Sequence, residues 1–227
     1  MKTTARTIVA LLLCGAIVIG ADPSPAPAAS RSATCTADRR TMANASSAFF
    51  VFTKRVGGGD VYYACRWGGK RPLRIGAVDY PDESSAGVDA AGPYAVMGRS
   101  TCPKIDVAGC SGEIRVIDVA KRRVRGTWRL PDDSLHLGAI EVMASGAVAW
   151  THTVYPDYPT RESAVVSVYS MDPGGRVRVL ATGNQIEQYS LAIGSAPSAP
   201  RPSGYGGAFA PVAYWTEADS PRSALLP

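Results

Sequence analysis

Residues 113–128, EIRVIDVAKRRVRGTW, form two arms rich in β-branched side chains on either side of a short polar turn at residues 120–123. β-branched side chains favour strands, so this stretch predicts a β-hairpin. Hairpins of the same type begin at Val61 and Val165, so equivalent arms recur about every 50 residues. A period of this size predicts a repeat architecture.

The residues before each hairpin predict two further strands in every repeat. The nearer strand ends in an aromatic residue or Met, at residues 49–52, 94–97, 147–150 and 212–215. The farther one is a short segment at residues 41–44, 87–90, 139–143 and 189–193. No window shows a sustained helical period, and 23 Gly and 17 Pro punctuate the apolar runs, which favours an all-β domain.

A repeat of four antiparallel strands, which we name A to D in chain order, is typical of a β-propeller blade. We therefore expect an all-β, β-propeller-like fold of about four blades, with a β-sandwich as the alternative. The C strand of the fourth blade is expected at residues 222–226, and the sequence ends at Pro227. This blade is therefore expected to lack its D strand. The segment 33–37, beside Cys35, is the candidate to complete that blade, and residues 195–207 are expected to form its A–B loop.

Several of these segments resemble known blades. Residues 114–119, the pair Arg123-Val124 and residues 146–150 resemble blades of the WD40-like and TolB-like propellers. Residues 190–192, 212–216 and 222–225 resemble a last, incomplete blade of uncharacterised secreted bacterial proteins of that type. The resemblance implies a propeller architecture over most of residues 41–226 and implies no catalytic residue.

The N-terminus has the pattern of an export signal. Lys2 and Arg6 precede an apolar run at residues 8–19, and small residues at positions 26 and 28 fit a cleavage site. The run is shorter than the roughly 20 apolar residues that a membrane anchor needs. We therefore expect a secretory signal peptide at residues 1–28, a single domain at residues 29–227, an extracytoplasmic or secreted location, and no membrane span in the mature chain.

The cysteines that follow the signal segment predict disulfides. They are Cys35, Cys65, Cys102 and Cys110, an even number in an exported chain, and three connectivities are possible. Cys102 and Cys110 flank one loop, which favours their pairing and leaves Cys35 to pair with Cys65. Because no C-x-x-C or histidine spacing indicates a metal site, we expect no metal and no cofactor.

Charge and motifs argue against several functions. Lys2, Arg6 and Asp22 together account for +1 of the formal net charge of +5, and the remainder is too small to predict nucleic-acid binding. The sequence has no G-x-S-x-G, H-E-x-x-H, P-loop or dinucleotide-binding motif. We therefore predict no catalytic residue and favour a protein that is not an enzyme.

The loops expected at one face of the propeller carry the candidate binding residues. The long loops are expected between strands B and C, at residues 54–60, 99–112, 152–162 and 217–220, and between strands D and A, at residues 77–86, 129–137 and 182–188. They are rich in Asp and Glu and twice contain Tyr-Pro-Asp, whereas the C–D turns carry Lys and Arg. Acidic and aromatic side chains together suit contact with a ligand or a protein. The candidate binding residues are Tyr80, Asp82, Asp106, His152, Tyr155, Asp157 and Tyr158.

Three functions fit these features. The first is a secreted, non-catalytic binding or scaffold domain that uses this acidic and aromatic loop face to bind an extracellular ligand or protein of unknown identity. The alternative is an extracellular hydrolase or lyase, which requires several loop carboxylates and His152 to converge in one pocket. The third is an assembly component that completes its open blade with a strand of a partner.

Overall fold

A computed structural model of the chain describes residues 35, 42–79, 83–102, 110–130, 136–156, 163–197 and 209–226, which contain fifteen strands and no helix. The strands are β1 (Met42–Ala45), β2 (Phe49–Val56), β3 (Gly59–Arg66), β4 (Leu73–Asp79), β5 (Glu83–Ala91), β6 (Tyr94–Cys102), β7 (Ser111–Asp118), β8 (Arg123–Arg129), β9 (His136–Val142), β10 (Val148–Val154), β11 (Val165–Met171), β12 (Val177–Gly183), β13 (Ala192–Pro197), β14 (Phe209–Glu217) and β15 (Ser220–Leu225). In this part of the chain, no helix has the length and hydropathy needed to cross a membrane.

The strands form four antiparallel sheets, which we call blades 1 to 4. Blades 1, 2 and 3 have the orders β1-β2-β3-β4, β5-β6-β7-β8 and β9-β10-β11-β12, and blade 4 has the order β13-β14-β15. Within each blade, every strand therefore pairs with the strand next to it in sequence, as expected where short turns connect antiparallel strands. The predicted all-β, propeller-like fold with an incomplete last blade is confirmed for the described residues.

The outer strand of each complete blade contains a β-bulge at the same point of the repeat. Pairing with the third strand of the blade shifts by one residue at Ile75 in β4, at Arg125 in β8 and at Leu180 in β12. A bulge increases the local twist of a strand and re-aims its side chains. Equivalent residues therefore give blades 1 to 3 the same twisted outer edge.

Apolar cores lie between successive blades. The core between blades 1 and 2 includes Val51 and Met97, that between blades 2 and 3 includes Ile114 and Trp150, and that between blades 3 and 4 is built around Trp215. The first strands of the blades, β1, β5, β9 and β13, also contact one another in this order. Blades that pack face to face in chain order are the arrangement of a propeller. Within the described ranges, no such core joins blade 4 to blade 1.

Two of the loops predicted to be long, at residues 54–60 and 217–220, are two-residue turns. Residues 57–58 connect β2 to β3, and residues 218–219 connect β14 to β15. Three of these four residues have positive φ, between 50° and 61°, which is the conformation that tight hairpin turns require. The prediction was wrong because strand pairing continues through most of the residues assigned to the loops.

The first strand of blade 4 starts later than the sequence predicted, at Ala192 instead of residue 189. The hydroxyl of Ser190 accepts a hydrogen bond from the backbone N–H of Thr216 at 2.8 Å and donates one to the carbonyl oxygen of Glu187 at 2.9 Å. These bonds hold a turn before β13. The strand then extends to Pro197, into the segment expected to be a loop, and residues 198–207 of that loop lie outside the described part of the chain.

A disulfide joins Cys35 to Cys65, as predicted, with the Cα atoms 5.6 Å apart. Cys65 is buried in β3, on the same face of blade 1 as Tyr63, which stacks on Phe52 at 5.3 Å between ring centroids. The other residues of the segment predicted to complete blade 4, 33–37, lie outside the described residues. Cys110 is also disulfide-bonded, and its pairing with Cys102 stays a prediction.

Candidate functional site

A groove follows β4 along the boundary between blades 1 and 2. It contains two adjoining clefts of about 320 and 460 Å³, which share Arg99 and Glu113. The first, which we call the arginine cleft, is lined by Arg74, Arg99, Arg115 and Glu113 above Gly76 and Met97. The second cleft continues towards the end of β4, where Asp79 and Arg129 line it.

The strand register brings the charged side chains of the arginine cleft together. Arg99 in β6 is directly opposite Glu113 in β7, and Arg115 lies two residues after Glu113. Residues two apart in a strand project from the same face, so all three side chains share one surface of blade 2. Arg74 reaches this surface from β4 of blade 1.

Glu113 holds two arginines of the cleft, Arg99 and Arg115, in position. Its Oε1 accepts a hydrogen bond from Nη2 of Arg115 at 2.6 Å and lies 3.1 Å from Nη2 of Arg99. Nη1 of Arg99 also donates to the carbonyl oxygen of Ala77 at 3.3 Å, which ties the side chain across to blade 1. Each guanidinium has five N–H donors, so these contacts fix the two groups and leave further donors to face the cleft.

The floor of the arginine cleft depends on close packing of two blades. A Cβ atom placed on Gly76 would collide with the sulfur atom of Met97, a buried side chain of blade 2. Glycine at position 76 therefore allows β4 to approach blade 2 closely. This approach brings Arg74 next to the arginines of blade 2.

The arginine cleft has an excess of positive charge. In the described part of the chain, three guanidinium groups line it with a single carboxylate. The side chains of Arg99, Arg115 and Glu113 are 45%, 33% and 20% exposed. Planar guanidinium groups match the geometry of carboxylate and phosphate oxygens and form two parallel hydrogen bonds with them. The arrangement is therefore suited to binding an anionic group from solution.

A second polar cluster links the first strands of blades 1, 2 and 3. Asn44 donates a hydrogen bond from Nδ2 to Oδ1 of Asp89 at 2.7 Å, and the backbone N–H of Val142 donates to Oδ2 of Asp89 at 2.7 Å. Burial, the charge of Asp89 and a hydrogen bond with its side chain raise the pKa of Glu141 to about 7. Glu141 is therefore partly protonated near neutral pH, beside the carboxyl group of Asp89.

The sequence analysis missed this cluster, although the repeat contains a signal for it. Asn44, Asp89 and Glu141 pair with Val51, Val96 and Ala149, which are equivalent positions of the second strands. Each lies in a short segment that the sequence analysis assigned to strand A, and Asp89 and Glu141 are the single polar residues of theirs. The equivalent position of blade 4 is Ala192, opposite Tyr214, so the cluster does not continue there.

Most of the predicted binding residues cannot be placed. Tyr80, Asp82, Asp106, Asp157 and Tyr158 lie outside the described residues. Tyr155 follows β10, and its ring meets that of His136 edge to face at 6.1 Å. The end of β10 and the start of β9 thus lie on one face, as the predicted loop arrangement requires.

His152 does not lie in a loop, which corrects the sequence prediction. It is part of β10, where it pairs with Ser167, and only 2% of it is exposed. Its ring stacks on Tyr169 at 4.9 Å between centroids. Strand pairing continues beyond Trp150 because alternating β-branched residues, Thr151 and Thr153, extend it. The binding role of His152 stays a prediction that this burial does not favour.

Within the described ranges, no group of three or more His, Cys, Asp or Glu side chains could hold a metal ion.

The chain has few matches among known proteins. No protein-family model matches the chain, and no curated protein resembles it in sequence. The chain is similar in structure to TolB from Acinetobacter baumannii, with 12% identity and a TM-score of 0.41, over 82% of this chain and 43% of that one. It is also similar to hydrazine synthase of Kuenenia stuttgartiensis, with 17% identity and a TM-score of 0.36, over 58% of this chain and 38% of that one.

The chain thus spans less than half the length of each of these solved structures. Likenesses of this size carry no information about a ligand or a reaction.

Proposed function

We propose that the protein is an extracytoplasmic, non-catalytic binding domain, and that the arginine cleft holds an anionic group of its ligand. The observation that carries the proposal is the sharing of Glu113 by Arg99 and Arg115 in an open cleft that Arg74 also lines. Among the described lining residues, these three guanidinium groups face one carboxylate and leave a net positive charge for a ligand to neutralise.

The proposed location rests on the cysteines and the N-terminus. Disulfides persist in oxidising compartments, and the bond between Cys35 and Cys65 fits such a compartment. A signal peptide at residues 1–28 would deliver a single domain, residues 29–227, to it. We also propose that the protein belongs to the uncharacterised secreted proteins that its blade motifs resemble.

The acidic and aromatic loop face is the second candidate binding surface. The contact of Tyr155 with His136 supports a clustering of loops there. The other loop residues that would bind a partner on this face are Tyr80, Asp82, Asp106, Asp157 and Tyr158. We favour the arginine cleft because Glu113 holds Arg99 and Arg115 in place within it. The loop face would suit a cationic or neutral partner instead.

The hydrolase or lyase alternative has one observation in its favour. Asp89 and Glu141 form a carboxylate pair in which the pKa of Glu141 is raised to about 7, as expected of a general acid. Neither residue lines a described cleft in the groove, whereas acid catalysis needs a substrate within hydrogen-bonding distance. We therefore retain the binding function as the proposal.

Calorimetric titration with inorganic tripolyphosphate at low salt tests the proposed site. The variant with Arg74→Gln and Arg99→Gln should bind roughly tenfold more weakly or worse, because hydrogen bonds between charged groups are lost. Arg178→Gln is the matched control, since it removes an exposed arginine from β12, away from the groove. Binding by the control and wild type, with unchanged affinity of the double variant, would move the site out of the arginine cleft.

A further inference from the structure

A third cleft lies beyond the start of β4, between the C–D turns of blades 1 and 2. We call it the turn pocket; it has a volume of about 340 Å³ and is lined by Arg66, Lys70, Arg71 and Arg122, beside small residues such as Ala64 and Ala120. None of its described lining residues is acidic. Four cations thus surround one recess with no carboxylate lining it.

Arg122 holds the two turns together and fixes one of these cations. Its guanidinium donates to the carbonyl oxygens of Arg71 at 3.1 Å and of Pro72 at 3.2 Å. The bonds join blade 2 to the residues that immediately precede β4. The turn pocket and the arginine cleft therefore lie along one boundary, on residues 70–76.

We propose that the turn pocket and the arginine cleft together bind one linear polymer of phosphate groups, an inference that rests on the proposed function. Among the residues that the structure describes, eight Lys and Arg residues line the turn pocket and the two clefts of the groove, against the two carboxylates of Asp79 and Glu113. The excess decreases from the turn pocket, through the arginine cleft, to the second cleft, where two arginines face both carboxylates.

The length of the boundary explains why the ligand is a polymer. Residues 71–79 span roughly 26 Å if they are extended throughout, at about 3.3 Å per residue. A single small anion would occupy one cleft and leave the other cations without a counter-ion. A chain with regularly spaced charges neutralises the turn pocket and the arginine cleft at once, and binding at one raises the effective concentration at the other.

The lining explains why the charges are phosphates. None of the described residues that line the three clefts is aromatic, whereas single-stranded nucleic acids are held by stacking of their bases on aromatic side chains. An acidic peptide would need hollows for side-chain anchors, and the turn pocket offers mainly Gly69 and small alanines between its cations. Guanidinium forks bind phosphate oxygens directly and require neither feature.

Two sources supply this chemistry, free inorganic polyphosphate and a polyol-phosphate polymer of a cell envelope. Fluorescence anisotropy with labelled chains distinguishes them, using inorganic polyphosphate and poly(glycerol phosphate) of matched length, each longer than the groove. Tripolyphosphate serves as the short ligand, and an oligoglutamate of matched charge and an oligothymidylate serve as the other anions.

At least one of the two long phosphate chains should bind on the order of a hundredfold more tightly than tripolyphosphate. The variant with Lys70→Gln and Arg71→Gln should lose most of this gain and keep the affinity for tripolyphosphate. The salt dependence of long-chain binding should become shallower by about one unit of slope for each cation removed. Arg178→Gln should leave both affinities unchanged, and equal melting temperatures would show that the variants fold.

The outcomes separate this inference from the proposed function. If tripolyphosphate binds at the arginine cleft and long chains bind no more tightly, the polymer inference is overturned and the proposed function stands. The same holds if the Lys70 and Arg71 variant keeps the full gain. Equal or tighter binding of oligoglutamate or oligothymidylate overturns the phosphate assignment. Failure of the wild type to bind any of these anionic ligands overturns both.

Discussion

Glu141 and Asp89 occupy equivalent positions on the first strands of successive blades. Burial of Glu141, together with its contact with Asp89, raises the pKa of Glu141 to about 7. Asp89 is in turn held by Asn44 of blade 1 and by the backbone of blade 3. One polar cluster therefore connects three blades near their first strands. We expect the stability of the fold to depend on pH through Glu141.

The folded protein should lose stability as the pH rises from about 4.5 to about 7, relative to a Glu141→Gln variant. Because the pKa of Glu141 is raised from 4.5 to about 7, the folded state holds a proton that the unfolded state has released in this interval. The stabilisation that comes from protonated Glu141 is complete below the pKa of this group in the unfolded state. It is lost as the pH rises through the pKa of the group in the folded state. Urea unfolding at pH 5 and pH 8 measures the difference.

Glutamine cannot ionise and resembles the protonated side chain, so Glu141→Gln should gain on the wild type as the pH increases. Glu187→Gln, a change of the same kind at an exposed position before β13, serves as the control and should parallel the wild type. Parallel stability curves of wild type and Glu141→Gln over this interval would mean that the pKa of Glu141 is not raised in the folded protein.

Gly76→Val should destabilise the protein by about 1 kcal/mol, the lower end of the usual cost of overpacking, because the flexible end of the Met97 side chain can shift in part. A Cβ atom at position 76 would collide with Met97, which is buried between blades 1 and 2. Gly126 is its equivalent in blade 2, and a Cβ there meets nothing within 4 Å. Gly126→Val should therefore change the free energy of unfolding by no more than about 0.5 kcal/mol. Equal effects of the two substitutions would show that β4 does not approach blade 2 as described.

Replacing both Cys35 and Cys65 by Ser should cost roughly 3 to 4 kcal/mol of unfolding free energy, because the bond closes a loop with a sequence separation of 30 residues. Thermal unfolding monitored by circular dichroism measures the loss. Peptide mapping of the oxidised wild type should recover a fragment that links these two cysteines, and the predicted Cys102–Cys110 pair as a second one. A fragment that links Cys35 to Cys102 would contradict the assignment.

The repeat made most of the fold predictable from sequence. Strands alternate in side-chain direction, so apolar residues such as Val96 and Ile114 recur at equivalent points of each blade and indicate both the strand and its buried face. Turn lengths were harder, because residues 54–60 and 217–220 are polar enough to form loops. Only the positive φ of residues such as Gly57 and Asp219 allows the short turns, and this depends on the local backbone.

The groove could not be predicted, because its residues meet through packing between blades. Arg74 and Arg99 belong to different repeats, and nothing in their spacing shows that a glycine at position 76 brings them together. The pairing of Arg99 with Glu113 depends on the register of β6 and β7, which hydrophobic alternation defines only after the turn between them is known. His152 was misplaced for a related reason, since a polar side chain in a buried strand resembles the start of a loop.

Backbone amide chemical shifts, recorded by NMR during titration with tripolyphosphate, test the central claim most directly. If the arginine cleft is the binding site, the shifts that change most should belong to the strands around it, at residues such as Ala77, Arg99 and Glu113, with Tyr155 and His136 of the loop face unaffected. Changes concentrated at Tyr155 and His136, with β4, β6 and β7 unperturbed, would contradict the assignment of the arginine cleft as the binding site.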